Sequence, residues 1–583
     1  MSRSIGILIS LLISTSVLSQ VDTLKLDSLS PSRISIIPLS NTKLDKWDGE
    51  LIKGLSRKQV ESMLRRRANQ QGFVLATFRF EQNVGESRVI VDPGMRYDWT
   101  EIRLDERAAD LLRKSNVQIK KITRKEFSPD RLGKSFNKAL AHLENSGFPF
   151  AEIWLDSVQI VNQQISGVVI IDQGPFVLFD SLNIIGDIKV RESYISNYTG
   201  IKEGKPYNER AIRNAKTLLA QNQFVSMIRP IEVRFDNEKT EVSMFLNASK
   251  ASRFDGILGF LPDEQSGDLL ITGDVALHLE NSLRQGEIID LNWRRLQSNT
   301  QDLDARAVLP YVLNSPVSPD GGVKIYRRDT TFTDIFGQVG IRYIFGRNDF
   351  VRAFVDRQTT NLISTSQYES TTLIPEYLDR SINSYGLGIN YRRIDYLLNP
   401  AKGFSVESDV AVGNKSIMEN PALPKFIYDS LQLNSIQYRA NLNAAYYVSI
   451  VPRLVWHQQF LGGSLLNDQL FNNEAYRIGG LKSIRGFNEE SIYATAYAIL
   501  KSELRYQIER NGYLFALFDQ GWYENTSLNR IGVRRDTPYS LGLGITIGTK
   551  AGIFSLSTAV GSQQSNPLLI RATKFHFGFL SVF

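Results

Sequence analysis

From residue 251 onward the sequence has almost no 3.6-residue periodicity and instead alternates polar and apolar residues with a period of two. This alternation is the strongest constraint on the fold, because it requires that strands build the second half. In Ser540–Gly548, Leu541, Leu543, Ile545 and Ile547 share one face, while Ser540, Gly542, Gly544, Thr546 and Gly548 share the other. Phe404, Val406, Val410 and Val412 likewise alternate with Ser405, Glu407, Asp409 and Ala411. Sixteen strand candidates can be placed, from residues 252–262 to residues 572–583. Transmembrane strands need roughly 9–11 residues each, with apolar side chains outward and polar ones inward. A soluble sandwich would alternate too, but would turn its apolar face inward. The even strand number and the aromatic C-terminus favour the barrel: Phe575, Phe577, Phe579 and Phe583 share a face that Ser581 interrupts.

The N-terminus reads as an export signal over residues 1–19. Arg3 supplies the positive start, Ile5–Ile13 the short apolar core, and Val17 and Ser19 the small residues before Gln20. No later apolar run reaches 18 residues, so no membrane-spanning helix is expected. The chain has no cysteine, which excludes disulfides, thiol nucleophiles, Cys-ligated zinc and a lipid-modified cysteine anchor. Its four histidines, His142, His278, His457 and His576, lie far apart, and no metal or cofactor site is expected. The net charge of +7 could suggest nucleic acid, but export argues against it. The basic runs Leu64–Gln70 and Lys120–Lys125 read as solvated faces, and the excess charge suits an anionic membrane surface.

Residues up to about 250 mix helical and strand patterns and look repetitive. The clearest copy opens with a strand at Phe176–Gly186 and a short helix at Arg191–Gly200 closed by a glycine. A second helix, capped by Asn208, carries the stripe Ile212, Ala215, Leu218 and Leu219, and two strands follow. The preceding stretch repeats the later part of this order, with Ser128 as helix cap. Three units are expected, at 21–97, 98–175 and 176–250, the first without a clear opening strand. The barrel would occupy 251–583.

Within the strand-rich half, residues 466–490 form a long loop ending in GGLKSIRGFNE, between the eleventh and twelfth strand candidates. An arginine there is either a solvated surface charge or the anchor of a loop folded into the lumen. A GG-x-x-x-[IV]-R-G-F loop, late in a sixteen-stranded barrel preceded by strand–helix–helix–strand–strand modules, resembles the BamA/TamA superfamily, whose modules are POTRA domains. Two further stretches carry the resemblance. Asp519 and Gly521 fit an F-x-D-x-G motif on the thirteenth strand, with Leu517 where phenylalanine is usual, and Glu503 matches an acidic residue on the twelfth. Ile484 replaces the commoner valine.

The resemblance implies α+β periplasmic POTRA repeats followed by an all-β, 16-stranded outer-membrane barrel. It implies that Arg485 enters the lumen and pairs with Glu503 and Asp519, a geometry suited to bidentate carboxylate binding. Gly486 would permit a tight backbone and Phe487 would pack inside. It further implies assembly or insertion of unfolded outer-membrane proteins, which add a strand to POTRA edges and enter at a seam between the first and last barrel strands. Gly256, Gly259 and Gly578 would weaken that seam, and Phe583 would close it. Three POTRA-like units point to a TamA-like factor, since main assembly barrels usually carry five and two-partner translocators two. Partners would be unfolded polypeptides, the bilayer, and periplasmic or lipoprotein components docking on the POTRA domains. The nearest alternative is a translocator dedicated to one secreted polypeptide. Such proteins usually carry a plug helix, and residues 20–45 show no helical stripe. A passive porin would lack the repeats. An enzyme would need a nucleophile or activated water beside a partnered histidine or paired acids, and the sequence offers no such set.

Overall fold

A computed structural model describes residues 32–36, 51–52, 56–83, 86–123, 127–236, 239–262, 269–297, 300–346, 349–368, 374–528, 532–549, 552–564 and 566–582. Residues 1–19, read as an export signal, and Phe583 lie outside them. The chain divides into two compact units: one runs up to Ser181 and includes Glu203–Arg213 and Arg234–Glu241, and the other holds Leu182–Lys202, Asn214–Val233 and the chain from Val242 onward.

Three small sheets precede the barrel, and they share a three-strand arrangement, to which the first adds Leu51–Ile52 beside Ser32–Ile36. In each, the closing strand lies between the opening strand and its own hairpin partner. In the third, Lys239–Ala248 lies between Ser181–Ile185 and Val225–Asp236; in the second, Gln164–Asp172 lies between Asp98–Leu104 and Glu152–Val161. In the first, Glu86–Asp92 pairs parallel with Ser32–Ile36 and antiparallel with Thr77–Asn83. An opening strand therefore exists where the sequence alone gave no clear one. Helix starts follow ordinary capping chemistry. Ser56 and Gln59 form a reciprocal capping box on Arg57–Gln70, Ser128 caps Pro129–Glu144, and Asn208 Oδ1 accepts from Ala211 N at 2.9 Å ahead of Glu209–Gln221. Gly200, at φ +77°, ends the helix Glu192–Thr199 in the left-handed region.

The second half is a closed antiparallel barrel of 16 wall strands, supplemented by the two-residue strand Arg535–Asp536. In chain order these are β1 Arg253–Pro262, β2 Leu269–Glu280, β3 Ile288–Gln297, β4 Thr300–Val308, β5 Val317–Arg328, β6 Phe332–Gly346, β7 Asp349–Leu362, β8 Arg380–Ile394, β9 Gly403–Ile417, β10 Asn434–Val451, β11 Leu454–Leu466, β12 Ala496–Glu509, β13 Gly512–Glu524, β14 Tyr539–Gly548, β15 Ile553–Ser562 and β16 Lys574–Val582. The alternation has the sense of a membrane barrel. Leu387 is 65 % exposed, Leu543 66 % and Phe575 74 %, all on the outer face, whereas Asp356, Lys501, Glu503 and Asp519 are buried. No helix among the described residues is long and apolar enough to cross a membrane.

Connections at the end where the chain enters β1 are at most eight residues long, whereas from β7 onward those at the other end have eleven or more. Two short turns hold the start of the third module. Tyr194 stands against Gly286, where any Cβ would lie 2.1 Å from its ring, and meets Tyr311 edge-on at 5.5 Å. Asn222 Nδ2 donates to the Tyr194 hydroxyl at 3.0 Å, Arg191 N to Arg284 O at 2.9 Å, and Lys202 Nζ to Asn314 O at 3.2 Å.

Candidate functional site: a hairpin latched inside the barrel

The connection from β11 to β12 extends through Thr495, beyond the loop end expected at residue 490, and folds as a hairpin. Tyr476–Ile478 pairs with Ile492–Ala494, and residues 479–491 form its tip. Gly479 and Gly480 adopt φ of +116° and +88°, which favour glycine. Ser483 braces the turn, accepting from Gly479 N at 2.7 Å and donating to Gly479 O at 3.0 Å. Glu489 accepts from Leu481 N at 2.8 Å.

The wall facing the tip is set by strand register. Alternation points Lys501, Glu503 and Arg505 of β12 inward, together with Leu517, Asp519 and Gly521 of β13, and Lys501 stands opposite Asp519. Into this wall the tip inserts Arg485, which is only 3 % exposed. Its Nε donates to Asp519 Oδ2 at 2.8 Å and its Nη2 to Asp519 Oδ1 at 2.6 Å, a two-pronged pair. The Arg485 backbone N donates to Asp519 Oδ2 at 3.0 Å, and its Nη1 donates to Glu503. Glu503 also accepts from Arg505 Nε at 2.7 Å. Arg505 donates in turn to His457 Nδ1 at 2.9 Å, and Lys501 Nζ to Leu481 O at 3.1 Å. Buried charges of both signs thus partner one another, the arrangement that low-dielectric surroundings demand, while His457 Nε2 is buried without a hydrogen-bond partner.

Apolar packing completes the seat. Ile484 is fully buried, and its Cδ1 would lie 3.1 Å from a Cβ on Gly521. Gly486, at φ +83°, lies against Ser540, Val560 and Gly561 of β14 and β15. Phe487, 7 % exposed, covers Gly561, and Gly486 N donates to His576 Nε2 of β16 at 3.4 Å. The structure therefore brings Arg485, Gly486, Phe487, Glu503, Asp519 and Gly521 to one place. Sequence reasoning missed Lys501, Arg505, His457 and His576 as members. Their only signal was the inward phase of their strands.

The seam residues are placed differently. Among the described residues, β1 and β16 pair only at Arg253–Val582 and Phe254–Ser581, whereas β8 and β9 pair continuously from Arg380–Ile417 to Ile394–Gly403. Gly256 and Gly259 pair with Val275 and Thr272 of β2, and Gly578 with Ser555 of β15. None of the three glycines lies in the two described seam pairs.

Residues 379–550 match the family model described as haemolysin secretion/activation protein ShlB/FhaC/HecB, and residues 177–248 match POTRA, the surface antigen variable number repeat. No curated protein matches the chain significantly. CdiB from Escherichia coli superposes with a TM-score of 0.53 at 13 % identity, over 90 % of this chain and 97 % of that one. CdiB from Acinetobacter baumannii gives 0.52 at 14 %, over the same shares. BamA from Haemophilus ducreyi lacking POTRA domains 1–3 gives 0.45 at 15 %, over 84 % of this chain and all of that one. The chain thus joins a module that matches the POTRA model to a 16-stranded barrel in which residues 379–550 are similar to the ShlB/FhaC/HecB model.

Proposed function

We propose that this protein is an outer-membrane protein assembly factor of the BamA/TamA kind, with its N-terminal modules in the periplasm, and that it works by opening the β1–β16 joint to client strands. The observation that carries this reading is the length of that joint. A bilayer offers no hydrogen-bond partner to a strand edge, so a junction with only two described pairs is a place where an incoming strand gains bonds. No covalent chemistry is required. The client's backbone groups pass from water to the barrel edge and are never left unpaired in lipid.

In this reading the two earlier modules are POTRA units like the third, and deliver clients by strand addition. Glu152–Val161 lies at the edge of its sheet with Trp154, Val158 and Ile160 exposed, which suits an extended apolar segment. Arg485 with Asp519 and Glu503 acts as a latch that keeps the hairpin seated against β12–β16.

A second reading, a translocator for one secreted polypeptide, is favoured by the description of the family matched at residues 379–550. Depletion of the protein in its host, followed by quantification of the outer-membrane proteome, separates the two. A fall across many barrel proteins, uncorrected by an Arg485→Ala copy, is expected for an assembly factor. Loss of a single exported protein with unchanged barrels would overturn that assignment in favour of the translocator.

A further inference from the structure

The hairpin tip is anchored on both sides of the β1–β16 joint. Arg485, Gly486 and Phe487 hold it to β12–β16, the C-terminal side. Five residues after Arg485, Glu490 turns the other way. Its backbone adopts φ +54°, an uncommon left-handed conformation for a side chain of its kind. Its carboxylate accepts from Arg294 Nη2 of β3 at 2.5 Å, and Arg477 Nη1 of the same hairpin stands 3.7 Å away. Two aromatic contacts support this arm: the Arg477 guanidinium lies 4.1 Å from the centre of the Tyr326 ring of β5, and Arg328 of β5 donates to the Tyr493 hydroxyl. The hairpin is thus a strap across the lumen, tied to strands on either side of the joint.

The two ties are unequal. Arg485 and Asp519 are buried and joined by three hydrogen bonds, with Glu503 as a further partner. The Glu490 side chain is 36 % exposed and that of Arg294 20 %, with one direct bond between them. Water therefore replaces the Glu490 partner at far lower cost than it could replace those of Arg485.

We propose that Glu490–Arg294 is the releasable clasp of the joint: it breaks when β1 and β16 separate, and the hairpin stays with β12–β16. This rests on the reading of that joint as a seam that opens. Release also swings the strap off the N-terminal wall and widens the conduit, so the clasp controls resting leak as well as opening.

The test uses the purified full-length protein in planar bilayers. Glu490→Gln and Arg294→Gln are each expected to raise the frequency of open-channel events about five- to tenfold, the scale of one ordinary net hydrogen bond. The exchanged pair Glu490→Arg with Arg294→Glu should return it towards the wild-type level. Because the chain has no cysteine, Glu490→Cys with Arg294→Cys gives a unique pair of thiols for a reducible bifunctional linker long enough to replace both side chains. Linkage should suppress opening and reductive cleavage of the linker should restore it. Wild-type conductance in both single variants, or unchanged opening in the linked pair, would overturn the clasp. Conductance needs no client, so a clasp that behaves as expected in a host whose barrel proteins do not depend on this chain would sink the assembly assignment and leave the clasp standing.

Discussion

Gly486 and Gly561 meet inside the barrel with no room for a side chain on the first. A Cβ on Gly486 would lie 2.8 Å from Gly561 N and 2.9 Å from Val560 C, both backbone atoms, at a φ of +83°. Wall backbone held in a strand ladder cannot retreat as a side-chain end could. Gly486→Ala should therefore unseat the tip at a cost of about 1–3 kcal/mol of strain. The expected outcome is a folded barrel whose hairpin is cut by added protease several times faster than in the wild type. An unchanged cleavage rate would mean that the tip has other room.

The latch should tolerate no conservative exchange at Arg485. Lysine offers one ammonium in place of a planar fork, so it cannot serve both Asp519 oxygens and Glu503 together. Alanine leaves Asp519 and Glu503 buried with a lost partner, which typically costs about 3–5 kcal/mol. Urea unfolding in detergent should rank the wild type above Arg485→Lys and that above Arg485→Ala. Asp519→Asn in the Arg485→Ala background should recover part of the loss, because it removes the stranded charge. A double variant no more stable than Arg485→Ala would show that the pair is not coupled in this way.

Much of this site could be read from the sequence because its logic is local or periodic. The resemblance carried by the R-G-F loop and the F-x-D-x-G stretch paired Arg485 with Glu503 and Asp519 and gave Gly486 its tight backbone, and the inward phase of the two strands agrees with it. The hairpin's second tie was not legible. Glu490 and Arg294 are 196 positions apart, and nothing in either neighbourhood marks them as partners. Their meeting depends on barrel closure, which sets β3 across the lumen from a loop that follows β11. The seam glycines are the opposite case. Glycine is a local signal that says where a strand is weak, while the pairing of β1 with β16 depends on how two distant segments meet. Gly578 has only Ser555 Cβ at 3.8 Å and its carbonyl oxygen at 4.0 Å from a notional Cβ, so nearby packing does not demand glycine there.

The outward apolar face separates a membrane barrel from a soluble one by a single charge. Leu387 of β8 is 65 % exposed, whereas Ser384 of the same strand is buried on the other face. In lipid, Leu387→Arg should destabilise by about 2–4 kcal/mol if it lies near the midplane. In a water-soluble fold the same substitution would fall within about 0.5 kcal/mol of neutral. Refolding yield into vesicles, with Leu387→Gln as a milder control, checks this: a graded loss from leucine through glutamine to arginine is expected.

The module next to the barrel is held through Gly286, which bears φ +73° and faces the Tyr194 ring at 2.1 Å from any added Cβ. Gly286→Ala must displace the ring, and with it the Asn222 bond to the tyrosine hydroxyl. Faster amide exchange in Glu192–Thr199 and in the turn 281–287, with the barrel strands unchanged, is the expected signature. Exchange unaltered in that helix would show that the turn yields instead.

Opening at β1–β16 can be tested by preventing it. Phe254 and Ser581 are opposed in the only described register of the joint, so Phe254→Cys with Ser581→Cys places two thiols across it in a chain with none of its own. Directly opposed residues of an antiparallel pair bring their Cβ atoms within about 4.5–5.5 Å, near the reach of a disulfide or a short bifunctional linker. The linked protein should keep its fold and its Arg485 latch, since Glu503, Asp519 and Arg294 lie on other strands. If clients enter through the joint, linkage should abolish their accumulation in the outer membrane, and reduction should restore it. If the lumen alone carries the traffic, as a dedicated translocator requires, the linked form should work as well as the reduced one. The same pair of thiols therefore asks whether the short junction is a gate or merely the place where a barrel happens to close.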